Sequence, residues 1–501
     1  MLEVEMIEEP LYFFAMLYVL LEIAGVYSAV HAILNTRTSQ AAIAWAISLS
    51  IIPLFILPLY WIFGNSRFHG YMESFRQARL EDIQTAHKAF QQIQQYHVTD
   101  IDGLEDVTNT VNNLEHLPFT SSNSAQLLIN GQKTYRAMLK AIEQAEDYVL
   151  LQFYIIHDDH VGEAFRKLLT DKMQQGVRVY FLYDGLGSLS LSSRYLQELR
   201  QAGAHVSSFN ERKGISKYLH INFRNHRKIL IIDGLKAFVG GLNLGREYLG
   251  EDESMGYWRD THVMLQGPSV QATQGVFVKD WYWSVGEVPE LNWLVQRAET
   301  VCKSTTQDSE KTLDAAAHCN QHIMLLDTGP ADEKPVCSLF ICALINQAKS
   351  RVWIASPYFV PGAEVINALK NAALRGVDIR LMLPEKSDKY FIYLTSFAYY
   401  RELKGYNIKI YRYTKGFSHQ KVFLIDDNLA GVGTMNLDNR SIYLNFEIMA
   451  YVADPGFNQQ VAAMLEYDFK NCFMDSIDGF EQRPFWFKAI SRIFYLLSPI
   501  L

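Results

Sequence analysis

The sequence predicts an α/β chain in which an N-terminal hairpin of two membrane-spanning helices precedes two pseudo-symmetric α/β layered halves. Three observations predict it. Two apolar runs of bilayer length open the chain, at residues 11–34 and 41–63. Helix-like and strand-like segments then alternate twice in the same order. Each round contains the pattern His-x-Lys-x4-Asp, at His226, Lys228 and Asp233 and again at His419, Lys421 and Asp426.

At 501 residues the chain is long enough for two or more domains with substantial cores. Its 46 Lys and Arg against 54 Asp and Glu leave a net charge of −8, which argues against a nucleic-acid partner. Residues 1–65 are read as the hairpin. The run Leu11–Leu34 is interrupted only by Glu22 and His31, and Ala41–Phe63 has no charge at all. The short joint Asn35–Gln40 makes the turn tight, and Pro53 and Pro58 predict a kinked second span. Met1–Pro10 carries four Glu and no Lys or Arg, and the first run exceeds a signal's apolar region, so it is read as a span rather than a cleavable signal. Arg37 stands alone in the joint, whereas Arg67, Arg76 and Arg79 follow the second span; this bias places the N-terminus and the following region on the cytoplasmic side. A carboxylate within a span is costly, so Glu22 is a candidate contact for a headgroup or partner.

Residues 66–120 are read as a helical connector. Phe68, Met72, Phe75, Leu80, Ile83, Ala86, Phe90 and Ile93 recur three or four apart, a stripe for the catalytic domain or the membrane surface. Ile101–Ser121 reads as loop. The first half, 121–302, runs helix Tyr135–Ala145, strand Tyr148–Ile156, helix Glu163–Gln175 and strand Val177–Asp184. The turn Asp184–Ser188 then falls at a strand's carboxyl end, where it lines a phosphate pocket or is a plain tight turn. Lys213, Lys217 and Tyr218 are either headgroup contacts or a solvated loop. Residues 303–321 are polar and irregular, a linker. The second half, 322–475, repeats the plan with helix Ser338–Ala348, strand Arg351–Ser356, helix Ala363–Arg375 and strand Val377–Leu383. In the tail, 476–501, Trp486, Phe487, Ile490, Ile493, Phe494, Leu496 and Leu497 surround Lys488 and Arg492: an amphipathic helix suited to the bilayer interface or to packing on the core. Cys302, Cys319, Cys337, Cys342 and Cys472 lack zinc spacing and read as reduced structural thiols.

The repeated pattern extends past its aspartates, to Gly240 and Asn243 in the first copy and Gly433 and Asn436 in the second. The runs Ile229–Ile232 and Val422–Ile425 read as buried strands. Residues i and i+2 of a strand share a face, so His226 with Lys228, and His419 with Lys421, point into one site. Two imidazoles, two ammonium groups and the Asn243 and Asn436 amides suit a phosphodiester, with one His attacking phosphorus and the other protonating the leaving group. A nucleophilic His needs an acceptor on its other ring nitrogen. Glu447, eleven residues past Asn436, is the candidate in the second half; the first half has Ser254 at that offset, which leaves Asp260 as its acceptor. Asp233 and Asp426 open turns, and a structural role is as compatible with that place as a catalytic one.

These residues resemble the paired HKD motifs of the phospholipase D superfamily, and more closely its bacterial cardiolipin synthases of the two-transmembrane type. Ala42–Trp45, Tyr183–Ser188, Asn222–Lys228, Gly240–Asn243, Trp258–His262, Pro357–Pro361, Asn436–Ser441 and Asn445–Glu447 carry the resemblance. Gly241 and Thr434 stand where Ser is usual after Gly, and Ser418 precedes His419 where Leu is common; no reactive group is lost. The resemblance implies phospholipase D-like halves and a phosphatidyl transferase, with neither metal nor cofactor, that joins two phosphatidylglycerols into cardiolipin and releases glycerol. It implies His226 as nucleophile and His419 as acid/base, anionic membrane lipids as partners, and a multi-pass protein of the bacterial inner membrane with its catalytic region facing the cytoplasm.

Overall fold

The computed structural model describes residues 2–64, 68, 70–76, 91–114, 116–209, 222–293 and 320–501. Outside them lie Leu80, Ile83, Ala86 and Phe90 of the connector stripe, Lys213, Lys217 and Tyr218, linker residues 303–319, and the cysteines at 302 and 319. The chain divides into two compact units, Met1–Gly70 with Arg212–Phe223, and Tyr71–Glu211 with Arg224–Leu501.

The first unit opens with helix Leu2–Asn35, whose stretch Tyr12–Asn35 is the one helix among the described residues long and apolar enough to cross a membrane. The second apolar run is not a single helix. It forms Ser39–Ile51 and Pro53–Phe63, broken at Ile52, whose φ of −137° and ψ of 61° are not helical. The residue before a proline disfavours the helical region, and Pro53 lacks the N–H that would continue the first helix, so it starts the next. The run folds back on the first helix: the Trp61 indole donates to Ser28 Oγ (3.2 Å), and His31 Nδ1 lies 2.6 Å from the Tyr60 hydroxyl. Gly25 permits the approach, since a Cβ there would sit 2.7 Å from the Leu49 carbonyl oxygen.

The second unit holds one continuous sheet. From the first half come β1 (Phe119–Ile129), β2 (Tyr148–Phe153), β3 (Arg178–Asp184), β4 (His205–Phe209), β5 (Ile229–Ile232), β6 (Lys236–Gly240) and β7 (Thr261–Gln266). They lie in the order β4-β3-β2-β5-β6-β7-β1, with β2, β3 and β4 parallel and the remaining pairs antiparallel. The second half contributes β8 (Gln321–Thr328), β9 (Arg351–Ala355), β10 (Asp378–Pro384), β11 (Ile408–Tyr413), β12 (Val422–Ile425), β13 (Leu429–Gly433), β14 (Asn445–Ala453) and β15 (Cys472–Asp475). Their order, β15-β11-β10-β9-β12-β13-β14-β8, repeats the first half with β15 added at the edge. β1 pairs with β8 through Gln321–Asn123 and Ile323–Thr120, which joins the halves.

The central parallel strands are largely buried because helices cover both faces; every residue of β2 is buried, and all of β3 after Arg178. Helix Asn130–Glu143 turns Tyr135, Met138, Ala141 and Ile142 inward at three- and four-residue spacing. Each half has its own core, centred on Leu151, Phe165 and Phe181 in the first and on Ile354, Leu369 and Leu381 in the second. The loop expected at Ile101–Ser121 is instead a helix, Glu105–Asn113, followed by the start of β1. Two turns suffice because Val107 and Val111, four apart, are buried against the second core, and Glu105 and Asp106 face the helix N-terminus.

Asp233 and Asp426 close the tight turns after β5 and β12 with φ of +53° and +50°, a conformation Asp tolerates better than most residues. The Asp233 carboxylate accepts N–H bonds of 2.8–2.9 Å from Glu146, Asp147 and Tyr148. Asp426 accepts from Lys349, Ser350 and Arg351 at 2.7–2.9 Å. Each ties its strand turn to the start of the parallel strand next to it. Asp426→Ala orphans three N–H groups and is expected to cost about 2–3 kcal/mol of stability, read as a lower denaturation midpoint in detergent.

Candidate active site

Two short bridges between the halves build the site. Arg224–Asn225 pairs in parallel with Asn445–Phe446, and Phe417–Ser418 pairs in parallel with Trp258–Arg259. The next residue on each strand carries the chemistry. His226 N–H donates to the Phe446 carbonyl (2.9 Å) and His419 N–H to the Arg259 carbonyl (2.8 Å). The register therefore sets His226 beside Glu447 and His419 beside Asp260.

The side chains follow. His226 Nδ1 lies 3.0 and 2.9 Å from the two Glu447 oxygens, and His419 Nδ1 lies 2.9 Å from Asp260 Oδ2. The pairing expected within each half does not form: each histidine takes its acceptor from the opposite half. Offset along one chain cannot show a partner that register between two strands supplies. Glu447 is held in turn by the Thr434 hydroxyl (2.6 Å) and the Asn445 amide (3.2 Å). Asp260 accepts from Thr261 N–H (2.8 Å) and the Trp258 indole (3.3 Å). Where Thr434 supports Glu447, the other copy has Gly241, whose missing Cβ would fall 2.1 Å from Asp260 Oδ1. Gly241→Ala is expected to push Asp260 off His419 and to lower kcat about 10–100-fold, on the scale of a misplaced catalytic group, with folding checked by the denaturation midpoint.

Both lysines reach back into the same space. Lys228 Nζ donates to the His226 carbonyl (2.7 Å) and Lys421 Nζ to the His419 carbonyl (2.6 Å). Lys228 lies 5.4 Å from the Tyr154 ring centroid, and that ring meets His226 edge-on at 5.0 Å. All four groups are buried. Burial, with Lys228, Lys421 and His419 nearby, holds His226 well below the ordinary imidazole range. Burial and Lys421 bring His419 down to about 4 against the pull of Asp260. Burial lowers Lys228 to about 7 and Lys421 to about 8, opposed by Glu447 and Asp260. Burial raises Glu447, whereas for Asp260 the His419 hydrogen bond and nearby cations outweigh burial and leave it low. The site thus concentrates cationic groups that their neighbours under-compensate, which favours a bound anion.

The two asparagines differ. Asn243 is committed to the fold, accepting from Ile155 N–H (3.0 Å) and donating to the Tyr248 hydroxyl (2.9 Å). Asn436 Oδ1 is buried without a hydrogen-bond partner. Gly240 and Gly433 leave room for neighbouring strands, against His262 and Ile448, rather than for a ligand. In the turn Asp184–Ser188 the Asp184 carboxylate accepts from Leu186 and Gly187 N–H and from Asn225 N–H (3.1 Å), which ties the turn to the strand before His226.

Alternation sends the residue after each His to the opposite face, where buried carboxylates from two helices receive it. Arg227 pairs with Asp280 (2.7 Å), which also accepts from Asn225, Gln152 and the Tyr71 hydroxyl. Gln420 donates to Asp468 (2.9 Å), which also pairs with Arg259 (2.8 Å). A helical Asp in a sequence reads as a solvated face, so neither acid was expected; the sole signal is a charged or amide residue between His and Lys on an apolar strand. Asp280→Ala leaves Arg227 buried without its main counter-charge, and the expected destabilisation is about 3–5 kcal/mol.

The comparisons with known proteins agree. The family model described as "Cardiolipin synthase, PLD-like domain" matches residues 138–281 and 341–469. The chain is 41% identical over 463 residues to cardiolipin synthase A of Pseudomonas aeruginosa, covering 91% of this chain and 90% of that one. It is 40% identical over 493 residues to cardiolipin synthase A of Pseudomonas putida, covering 98% of each. Among solved structures, phosphatidylserine synthase of Haemophilus influenzae aligns with a TM-score of 0.57 at 14% identity, over 79% of this chain and all of that one, a likeness of fold. With both HKD copies complete and meeting across one sheet, the chain belongs to the cardiolipin synthase family of phospholipase D-like proteins.

Proposed function

We propose that this chain is a cardiolipin synthase that works by two-step phosphatidyl transfer across the interface of its halves. The observation that carries the reading is the crossed pair of buried His–carboxylate bonds, His226 with Glu447 and His419 with Asp260. With Nδ1 committed to Glu447, His226 has Nε2 to offer, and its lowered pKa keeps that nitrogen unprotonated at neutral pH. Nε2 attacks the phosphorus of one phosphatidylglycerol, forming a P–N bond as the P–O bond to glycerol breaks. Protonated His419 gives its proton to the departing alkoxide. The terminal hydroxyl of a second phosphatidylglycerol then gives a proton to His419 and attacks phosphorus, the P–N bond breaks, and His226 is restored. Cardiolipin and glycerol are the products.

Lys228 and Lys421 hold the phosphoryl oxygens, and Asn436, with its unpartnered oxygen, is placed to bind substrate hydroxyl. His419 carries its proton because the bound phosphate anion raises its low pKa. Asp233 and Asp426 act through the fold rather than on the substrate, and Asn243 shapes the strand ends.

The lysines give a pH dependence with a definite sign. A lowered ammonium pKa means charge is present below, and lost above, about 7 for Lys228 and about 8 for Lys421. Inhibition by glycerophosphoglycerol, a soluble diester of constant charge, is expected to weaken at least about tenfold from pH 6.5 to 9, a loss of one charge-assisted contact. Lys421→Met is expected to flatten the upper part of that profile.

The substrate assignment is tested with purified protein in detergent, phosphatidylglycerol alone and chelator present, with products separated by mass. Cardiolipin with glycerol supports the reading; phosphatidic acid without cardiolipin means water is the acceptor.

The two apolar runs together support a two-span hairpin, with Tyr12–Asn35 as one span and the broken Ser39–Phe63 segment as the other. The Arg67, Arg76 and Arg79 bias supports a catalytic unit on the cytoplasmic side of the bacterial inner membrane. Reporter fusions in the joint at residues 35–40 test this, with a periplasmic signal expected there and a cytoplasmic one after residue 95.

A further inference from the structure

Helix Phe485–Tyr495 carries two stripes. Phe487, Ser491 and Phe494 face the core. Phe487 meets Phe397 at 5.4 Å, Tyr495 meets Tyr399 at 5.2 Å, and the Tyr495 hydroxyl donates to Glu402 (2.8 Å). All three partners lie on helix Tyr390–Leu403. The other stripe, Trp486, Ile490, Ile493 and Leu497, is exposed, and so are Phe485 and Leu496 beside it. Phe485 is 84% exposed, Trp486 58%, Ile493 62% and Leu496 76%. Single exposed apolar residues are ordinary, but six large ones within thirteen positions form a patch.

The patch has a charge of its own. Lys488 and Arg492 flank it, and residues 484–501 contain no Asp or Glu in a chain of net charge −8. A segment beyond the helix is fastened to the second motif: Arg440 N–H donates to the Leu501 carbonyl (2.7 Å) and the Asn439 amide to the Ser498 carbonyl (2.9 Å). Asn439 and Arg440 open the short helix capped by Asp438, two residues after Asn436.

We propose that this face docks on an anionic bilayer, seating the helix in the headgroup layer and holding the second-motif segment where lipids of that leaflet reach the paired histidines. Apolar side chains flanked by cations, with no acid among them, match the chemistry of a negatively charged lipid surface; a second copy of the same face would set Lys488 and Arg492 against like charges. The proposal rests on the membrane-associated reading of the chain. An arm with monomeric substrate therefore reports the chemistry apart from docking.

The test uses full-length protein in vesicles of phosphatidylglycerol and phosphatidylcholine. Brominated acyl chains are expected to quench a tryptophan component that Trp486→Phe removes. Phe485→Ser, Ile493→Ser and Leu497→Ser combined are expected to raise the lipid surface concentration for half-maximal rate at least about fivefold, while rates on monomeric short-chain phosphatidylglycerol stay within about twofold. Equal quenching in wild type and Trp486→Phe overturns the proposal. So does a Trp486 shielded from both bromolipid and acrylamide in a protein that cross-links through Ile493→Cys, which assigns the face to a second copy.

Discussion

Alanine at His226 or at His419 is expected to lower kcat by at least about 10⁴-fold, because each removes an essential reacting group. The two losses are expected to differ in kind. Without His226 no covalent intermediate forms, and no change of leaving group restores one. Without His419 the nucleophile remains, held by Glu447, and the first step lacks only a proton for the glycerol alkoxide. A phosphatidyl ester of p-nitrophenol needs no such proton, so His419→Ala should release nitrophenolate in a burst and then stall, whereas His226→Ala should release none. Because the two residues act as a unit, the double variant should be little worse than either single one.

Glu447→Gln and Asp260→Asn are expected to cost about 10³–10⁴-fold in kcat with little change in shape, since an amide can hold the wrong imidazole tautomer in place. The crossed geometry makes the loss selective. Glu447 touches His226, and Asp260 touches His419. Glu447→Gln should therefore abolish the nitrophenolate burst, while Asp260→Asn should retain it and slow only the steps that move a proton through His419. Pairing within each half requires the opposite assignment. Both variants sit in buried networks, so each is compared after its denaturation midpoint has been shown to lie near that of the wild type.

Local patterns were legible in the sequence. Strands β5 and β12 fall on Ile229–Ile232 and Val422–Ile425 because an uninterrupted apolar run bounded by turn residues has few other ways to fold. The helix–strand alternation gave the layered plan of both halves; boundaries such as Tyr148, Asp184, Arg351 and Ala363 coincide, and the others are off by up to five residues, as where a helix starts at the cap Asp159. What joins the halves was not legible. Two-residue parallel bridges carry no periodicity, yet they decide which carboxylate meets which histidine. The helix Glu105–Asn113 was missed because its two turns bury too few apolar residues to register a period. The tail showed its amphipathic composition, but composition alone did not separate the stripe that packs on Phe397 from the one left exposed. The prolines of the second apolar run announced a bend, and the structure makes it a full break at Ile52.

In the proposed mechanism His226 becomes covalently bound to the phosphatidyl group while His419 moves the proton. Mass analysis of His419→Ala, digested at alkaline pH after brief exposure to the nitrophenyl ester, tests it most directly. A phosphatidyl adduct is expected on the peptide containing His226, and none when Glu447→Gln is added. An adduct on the His419 peptide of His226→Ala, or unmodified protein alongside sustained turnover, would contradict it.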